Sequence, residues 1–92
     1  MSGVRQERTF KIVNTLGLHA RAAAVLVQTA NRFRAEIFVE KDGSRVNGKS
    51  IMGVLTLAAA KGTTIVVVTE GDDAEAAMTA LAKLVEGGFG ET

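Results

Sequence analysis

Thr63-Thr64-Ile65-Val66-Val67-Val68-Thr69 decides the architecture, because all seven residues are β-branched and the run is nearly continuous in Ile and Val. Such a run reads as a strand buried from both sides, and therefore central in its sheet. Gly71-Asp72-Asp73 follows as a turn and helix cap. Past that turn, Ala74, Ala77, Met78, Leu81, Leu84 and Val85 trace one stripe of a helix. The closing Gly87-Gly88-Phe89-Gly90-Glu91-Thr92 is rich in glycine and is expected to fray.

Working upstream, Gly62 stops a helix predicted over Ile51 to Ala60, for which Asn47-Gly48-Lys49-Ser50 supplies the turn and Ser50 the N-cap. Lys41-Asp42-Gly43-Ser44 is a turn whose Asp-Gly pair suits positive backbone angles. It joins a strand over Ala35 to Glu40, with Ile37 and Val39 inward, to a short antiparallel return over Arg45 to Asn47. Ala23, Leu26, Val27, Ala30 and Phe33 share one face of a helix over Ala20 to Phe33. Before it, Thr9 to Val13 alternates as a half-buried strand with Phe10 and Ile12 on one side, and Asn14 to Leu18, containing Gly17, interrupts the pattern. The order strand, helix, strand, strand, helix, strand, helix predicts an α+β fold: an open-faced β-sandwich, four antiparallel strands with three helices on one face. No repeat or linker divides the chain, so residues 1–92 read as one domain.

Ninety-two residues cannot house both a core and a deep substrate cavity, so a shallow surface site is expected. The chain is 47% apolar, yet its only aromatic residues are four Phe, which argues against an aromatic binding cage. Eleven basic against ten acidic residues give a net charge of +1, and with no Tyr or Trp for stacking this speaks against nucleic acid or a lipid surface as partner. There is no cysteine and one histidine, which excludes thiolate chemistry, disulfides and multi-imidazole metal sites; no metal and no cofactor is expected. Met1 to Arg8 is polar and no apolar run is long enough to span a bilayer, so a cytoplasmic protein without membrane insertion is expected.

The single histidine, His19, stands where a loop ends and a helix begins, so the backbone N–H groups of Ala20 to Ala23 are expected to converge near its ring. The positive end of a helix suits a phosphoryl dianion, making the backbone of Ala20, Ala22 and Ala23 candidate phosphate ligands. Arg21 adds a guanidinium able to grip phosphate oxygens in pairs, and Gly17 lets the loop approach closely. No water-activating base stands nearby in sequence, as suits a group that must be carried and not hydrolysed. Spacing alone leaves a second reading open, in which His19 is a cap or surface residue and Arg21 a solvated charge.

Gly17-Leu18-His19-Ala20-Arg21-Ala22-Ala23-Ala24 resembles the active-site signature of the HPr family, the histidine-containing phosphocarriers of the phosphoenolpyruvate-dependent sugar phosphotransferase system. Asn47-Gly48-Lys49-Ser50-Ile51-Met52-Gly53-Val54-Leu55 resembles that family's regulatory serine segment, and the element order agrees from about Thr9 to Glu86. The resemblance implies that His19 is phosphorylated on Nδ1, with Arg21 stabilising the group. It further implies two sets of partners, the phosphoenolpyruvate-dependent first enzyme as donor and the sugar-specific components as acceptors. The protein would then be a covalent carrier and a monomer, not an enzyme alone. One departure stands at Ala22, where the family usually has proline; a modest effect is expected, since alanine also favours the first helical turn.

The second helix carries more apolar residues than one core stripe needs. If Val54, Leu57 and Ala58 face the core, then Ile51, Met52 and Leu55 form an exposed patch; periodicity alone leaves open whether all are core, and the resemblance favours partner docking. Ser50 reads structurally as a cap. By the resemblance it is also a regulatory site for a serine kinase and phosphorylase, where a dianion beside the patch would obstruct docking. Two other functions stay in view: a regulatory branch, sensing nitrogen or metabolic state through the same His19 but with different acceptors, and a small acyl-phosphate hydrolase, which would turn over without protein partners.

Overall fold

A computed structural model describes residues 4–91. In chain order the elements are β1 (Arg5–Lys11), α1 (Ala20–Ala30), β2 (Glu36–Lys41), β3 (Ser44–Asn47), α2 (Ile51–Thr56), β4 (Thr64–Glu70) and α3 (Ala74–Glu86), followed by a single 3-10 turn at Gly88–Gly90. The four strands form one antiparallel sheet in the order β1-β4-β2-β3. Inward residues of the sheet, Phe10, Ile37, Val39, Ile65 and Val67, pack with Leu26, Val54, Met78, Leu81 and Val85 of the helices into one core. Each such side chain contributes roughly 1.5–3 kcal/mol by leaving water.

β4 lies between β1 and β2, as its β-branched run predicts. The expectation that both of its faces are covered holds only in part, because the helices occupy one face. On the other, Val66 is half-exposed, and Val68 is buried where it stands opposite Phe38 in register. The Arg45 guanidinium lies 4.9 Å over the half-buried Phe38 ring on that face. The Asp42-Gly43 hairpin forms as expected, with positive φ at both residues.

Several boundaries differ from the sequence reading. β1 begins at Arg5, well before Thr9, because residues 5–8 pair with the second half of β4. α1 ends at Ala30 and not Phe33: the Asn31 side chain bonds back to the Val27 carbonyl, and Phe33 lies half-buried after the last turn. α2 stops at Thr56, short of the predicted Ala60, although Leu57 to Ala60 are good helix formers. Ala58 turns to φ +48°, which lets the Ala59 carbonyl accept the Leu18 N–H at 2.8 Å and the Gly62 N–H reach the Ile12 carbonyl at 2.7 Å. Tertiary hydrogen bonds to the loop before α1 thus override helix propensity. Ala58 is exposed as a result, and Ala59 takes the buried place.

Asp73 occupies the N-cap position of α3 but does not cap it. Its carboxylate instead accepts the N–H groups of Arg34 and Ala35, at 2.9 and 2.8 Å, pinning the α1–β2 turn. Those bonds, the one from Arg34 foremost, hold its carboxyl below the usual range. On α3, Ala82 is buried and Leu84 half-buried. The final segment is not frayed: Phe89 is buried, with φ +58°, between Gly88 and Gly90, which also have positive φ. Thr92 lies outside the described residues.

Candidate functional site

The loop of residues 14–18 sets the direction in which α1 begins. Asn14 is buried, and its amide donates to the Gly17 carbonyl at 2.8 Å, while the Gly17 N–H returns to the Asn14 carbonyl at 3.1 Å. Gly17 has φ +64°, and a Cβ there would lie 2.4 Å from the Ala59 carbonyl oxygen, so the close approach to the chain leaving α2 requires glycine. Leu18, Ala22 and Ala23 are buried and fix the first turn of α1 to the core.

His19 is the N-cap residue of α1, extended at φ −73° and ψ 179°, and its side chain makes no capping bond. The ring is partly exposed, at 29% for the side chain. Its carbonyl accepts the Ala23 N–H at 2.8 Å, which removes Ala23 from the expected set of free donors. Among the described residues the N–H groups of Ala20, Arg21 and Ala22 have no partner, so the free donors of this helix start are three. Arg21 is exposed and makes no ion pair or side-chain hydrogen bond there. A shallow cleft is lined by Leu16, His19, Ala20, Arg21, Gly90 and Glu91.

Three of the residues around the site escaped the sequence reading. Glu91 places one carboxylate oxygen 2.7 Å from His19 Nε2, and its other oxygen accepts the Asn14 amide at 2.9 Å. Hydrogen bonds from Asn14 and then His19, with the charges of His19 and Arg21, hold the Glu91 carboxyl below its usual range. A carboxylate therefore does stand at the ring, contrary to the expectation of no base nearby, but both of its oxygens are engaged. Asn14 Oδ1 is buried without a partner. Leu16, 67% exposed, is a large apolar side chain on the rim of the cleft. The spacing of Asn14 and Gly17 hints at a turn; nothing local marks Glu91, 72 residues from His19.

At α2 the Ser50 hydroxyl accepts the Gly53 N–H at 3.1 Å, as predicted. Val54 and Leu57 face the core. Ile51 and Met52 are exposed, at 42% and 74%, while Leu55 is half-buried against the core and contributes only an edge to the patch. α1 and α2 pack on one another. Among the described residues no group of three or more side chains could hold a metal ion, and no helix is long and apolar enough to cross a membrane.

A family model for the PTS HPr component phosphorylation site matches residues 6–87. The phosphocarrier protein HPr of Neisseria meningitidis is 54% identical over 85 residues, covering 92% of this chain and 96% of that protein. The HPr-like protein Crh of Halalkalibacterium halodurans is 51% identical over 80 residues, covering 87% and 95%. Among solved structures, HPr-C-His from Thermoanaerobacter tengcongensis superposes with a TM-score of 0.91 at 49% identity, covering 95% of this chain and 98% of that one.

Proposed function

The chain belongs to the HPr family and is a phosphocarrier, and from that premise we propose that His19 is the residue that carries the phosphoryl group. One observation supports this reading above the others: the only imidazole of the chain sits, partly exposed, at a helix start whose first three N–H groups, like the neighbouring Arg21 side chain, have no partner among the described residues. A ring nitrogen attacks phosphorus as the donor's bond to it breaks, the electron pair leaving with the donor. The N–H groups of Ala20, Arg21 and Ala22 and the Arg21 guanidinium then meet the phosphoryl oxygens as charge spreads over them.

The donor is the phosphoenolpyruvate-dependent first enzyme of the phosphotransferase system and the acceptors are its sugar-specific components, reached in the cytoplasm. The carrier needs these partners for turnover. Exposed Leu16, Ile51 and Met52, with the edge of Leu55, supply apolar surface for docking. Ser50 is the regulatory position: a phosphate there, set by a serine kinase and removed by a phosphorylase, would place two charges next to Ile51 and Met52. One of the HPr structures similar to this chain is a dimer. The present chain works as a monomer in this reading, since one protomer supplies every group named at the site, and residues 1–92 act as one domain.

Intact-mass measurement after mixing with phosphoenolpyruvate and the first enzyme tests the assignment. One acid-labile phosphoryl group is expected on the wild type and none on His19→Ala. Uptake by the variant, or none by the wild type, overturns it.

A further inference from the structure

We propose that Glu91 is a positioning residue for the carrier chemistry: by accepting the Nε2 proton of His19 it holds the neutral ring in the tautomer whose lone pair is on Nδ1. The inference rests on His19 being the carrier. A carboxylate offers only acceptor sites, so the proton between it and a neutral imidazole belongs to the ring. The contact is 2.7 Å, and among the described residues Nδ1 has no hydrogen-bond partner. Glu91 cannot swing freely, because its second oxygen is held at 2.9 Å by the buried Asn14 amide, itself tied to the Gly17 carbonyl. Buried Phe89 anchors the same segment, and the Glu91 side chain is only 16% exposed, which limits competition from water.

During uptake the Nδ1 lone pair forms the N–P bond, and the donor's bond to phosphorus breaks with its pair remaining on the donor. The Nε2 proton stays where it is, so the ring becomes positive opposite the carboxylate. On onward transfer the N–P pair returns to Nδ1 and the neutral ring reappears in the same tautomer, ready for another cycle. A hydrogen bond to a charged acceptor is strong enough to bias the tautomer about tenfold.

Two-bond proton–nitrogen correlation spectra of the uniformly labelled full chain, at a pH where the ring is neutral, read this directly. The wild type is expected to show the proton on Nε2. Glu91→Gln keeps an acceptor oxygen and should retain that pattern. Glu91→Ala should drift toward a mixture of tautomers and take up phosphate about tenfold more slowly, the loss of one charge-assisted bond. A wild-type ring protonated on Nδ1 overturns the proposal without reference to any variant. So does Glu91→Ala with an unchanged nitrogen pattern and normal uptake, and in that case the carrier reading stands. Failure of the wild type to take up phosphate removes the carrier reading and the Glu91 role with it.

Discussion

At the start of α2 the Ser50 hydroxyl accepts the Gly53 N–H, whereas at the start of α1 the His19 side chain turns away and leaves the N–H groups of Ala20, Arg21 and Ala22 unbonded. The first arrangement adds one bond to a six-residue helix that needs every bond it can make. The second leaves donors open in an 11-residue helix that several buried side chains already secure. The difference teaches how to separate a structural helix start from a chemical one. Where the capping residue is spent on the backbone, the third donor is taken and only the Ile51 and Met52 N–H groups lack a partner among the described residues; where packing holds the helix without a cap, three N–H groups are left at its positive end for an anion.

The most damaging way to break this contrast is to close the open end. His19→Ser gives α1 a good cap, and no phosphohistidine should then be detectable by intact mass, while urea unfolding should show a gain of up to about 1 kcal/mol. Lost stability in that variant would mean that the His19 ring, and not core packing, secures the helix. A milder perturbation keeps the acceptor and removes its cation: Arg21→Ala should slow uptake from the first enzyme by about tenfold to a hundredfold, with Arg21→Lys between it and wild type. At the capped end the effects should be smaller. Ser50→Asp retains a capping oxygen but adds charge beside Ile51 and Met52, and should slow uptake by about tenfold through weaker docking. Ser50→Ala should cost about 1 kcal/mol of stability and leave uptake within about twofold of wild type. Equal rates for Ser50→Asp and wild type would remove the electrostatic block as a means of control.

These contrasts also mark what the sequence could reveal. Ser50 and His19 were legible as helix starts because capping and periodicity are local signals, and the Ile-Val run of β4 announced its central place in the sheet for the same reason. The end of α2 was not legible. Leu57 to Ala60 favour helix by composition, and only the approach of Leu18 and Ile12 from another part of the chain turns Ala58 out of it. Glu91 lay furthest from view, since the glycines around Phe89 signal a flexible end, while its two partners, Asn14 and His19, stand more than seventy positions away. Asp73 shows the reverse case. It stands at the N-cap position that the sequence suggests, but it makes no capping bond: its carboxylate is spent on Arg34 and Ala35, because a turn with two free N–H groups lies within reach.

The strand order β1-β4-β2-β3 has a consequence for how the molecule is made. Residues 5–11 pair only with residues 64–70, so on a translating ribosome the first strand waits, unzipped, until the fourth has cleared the exit tunnel. The β2–β3 hairpin can close early, from neighbours a few residues apart. The histidine's surroundings are finished later still, when residue 91 arrives. A nascent chain stalled before residue 91 therefore holds the His19 imidazole without the carboxylate that stands against it in the folded molecule.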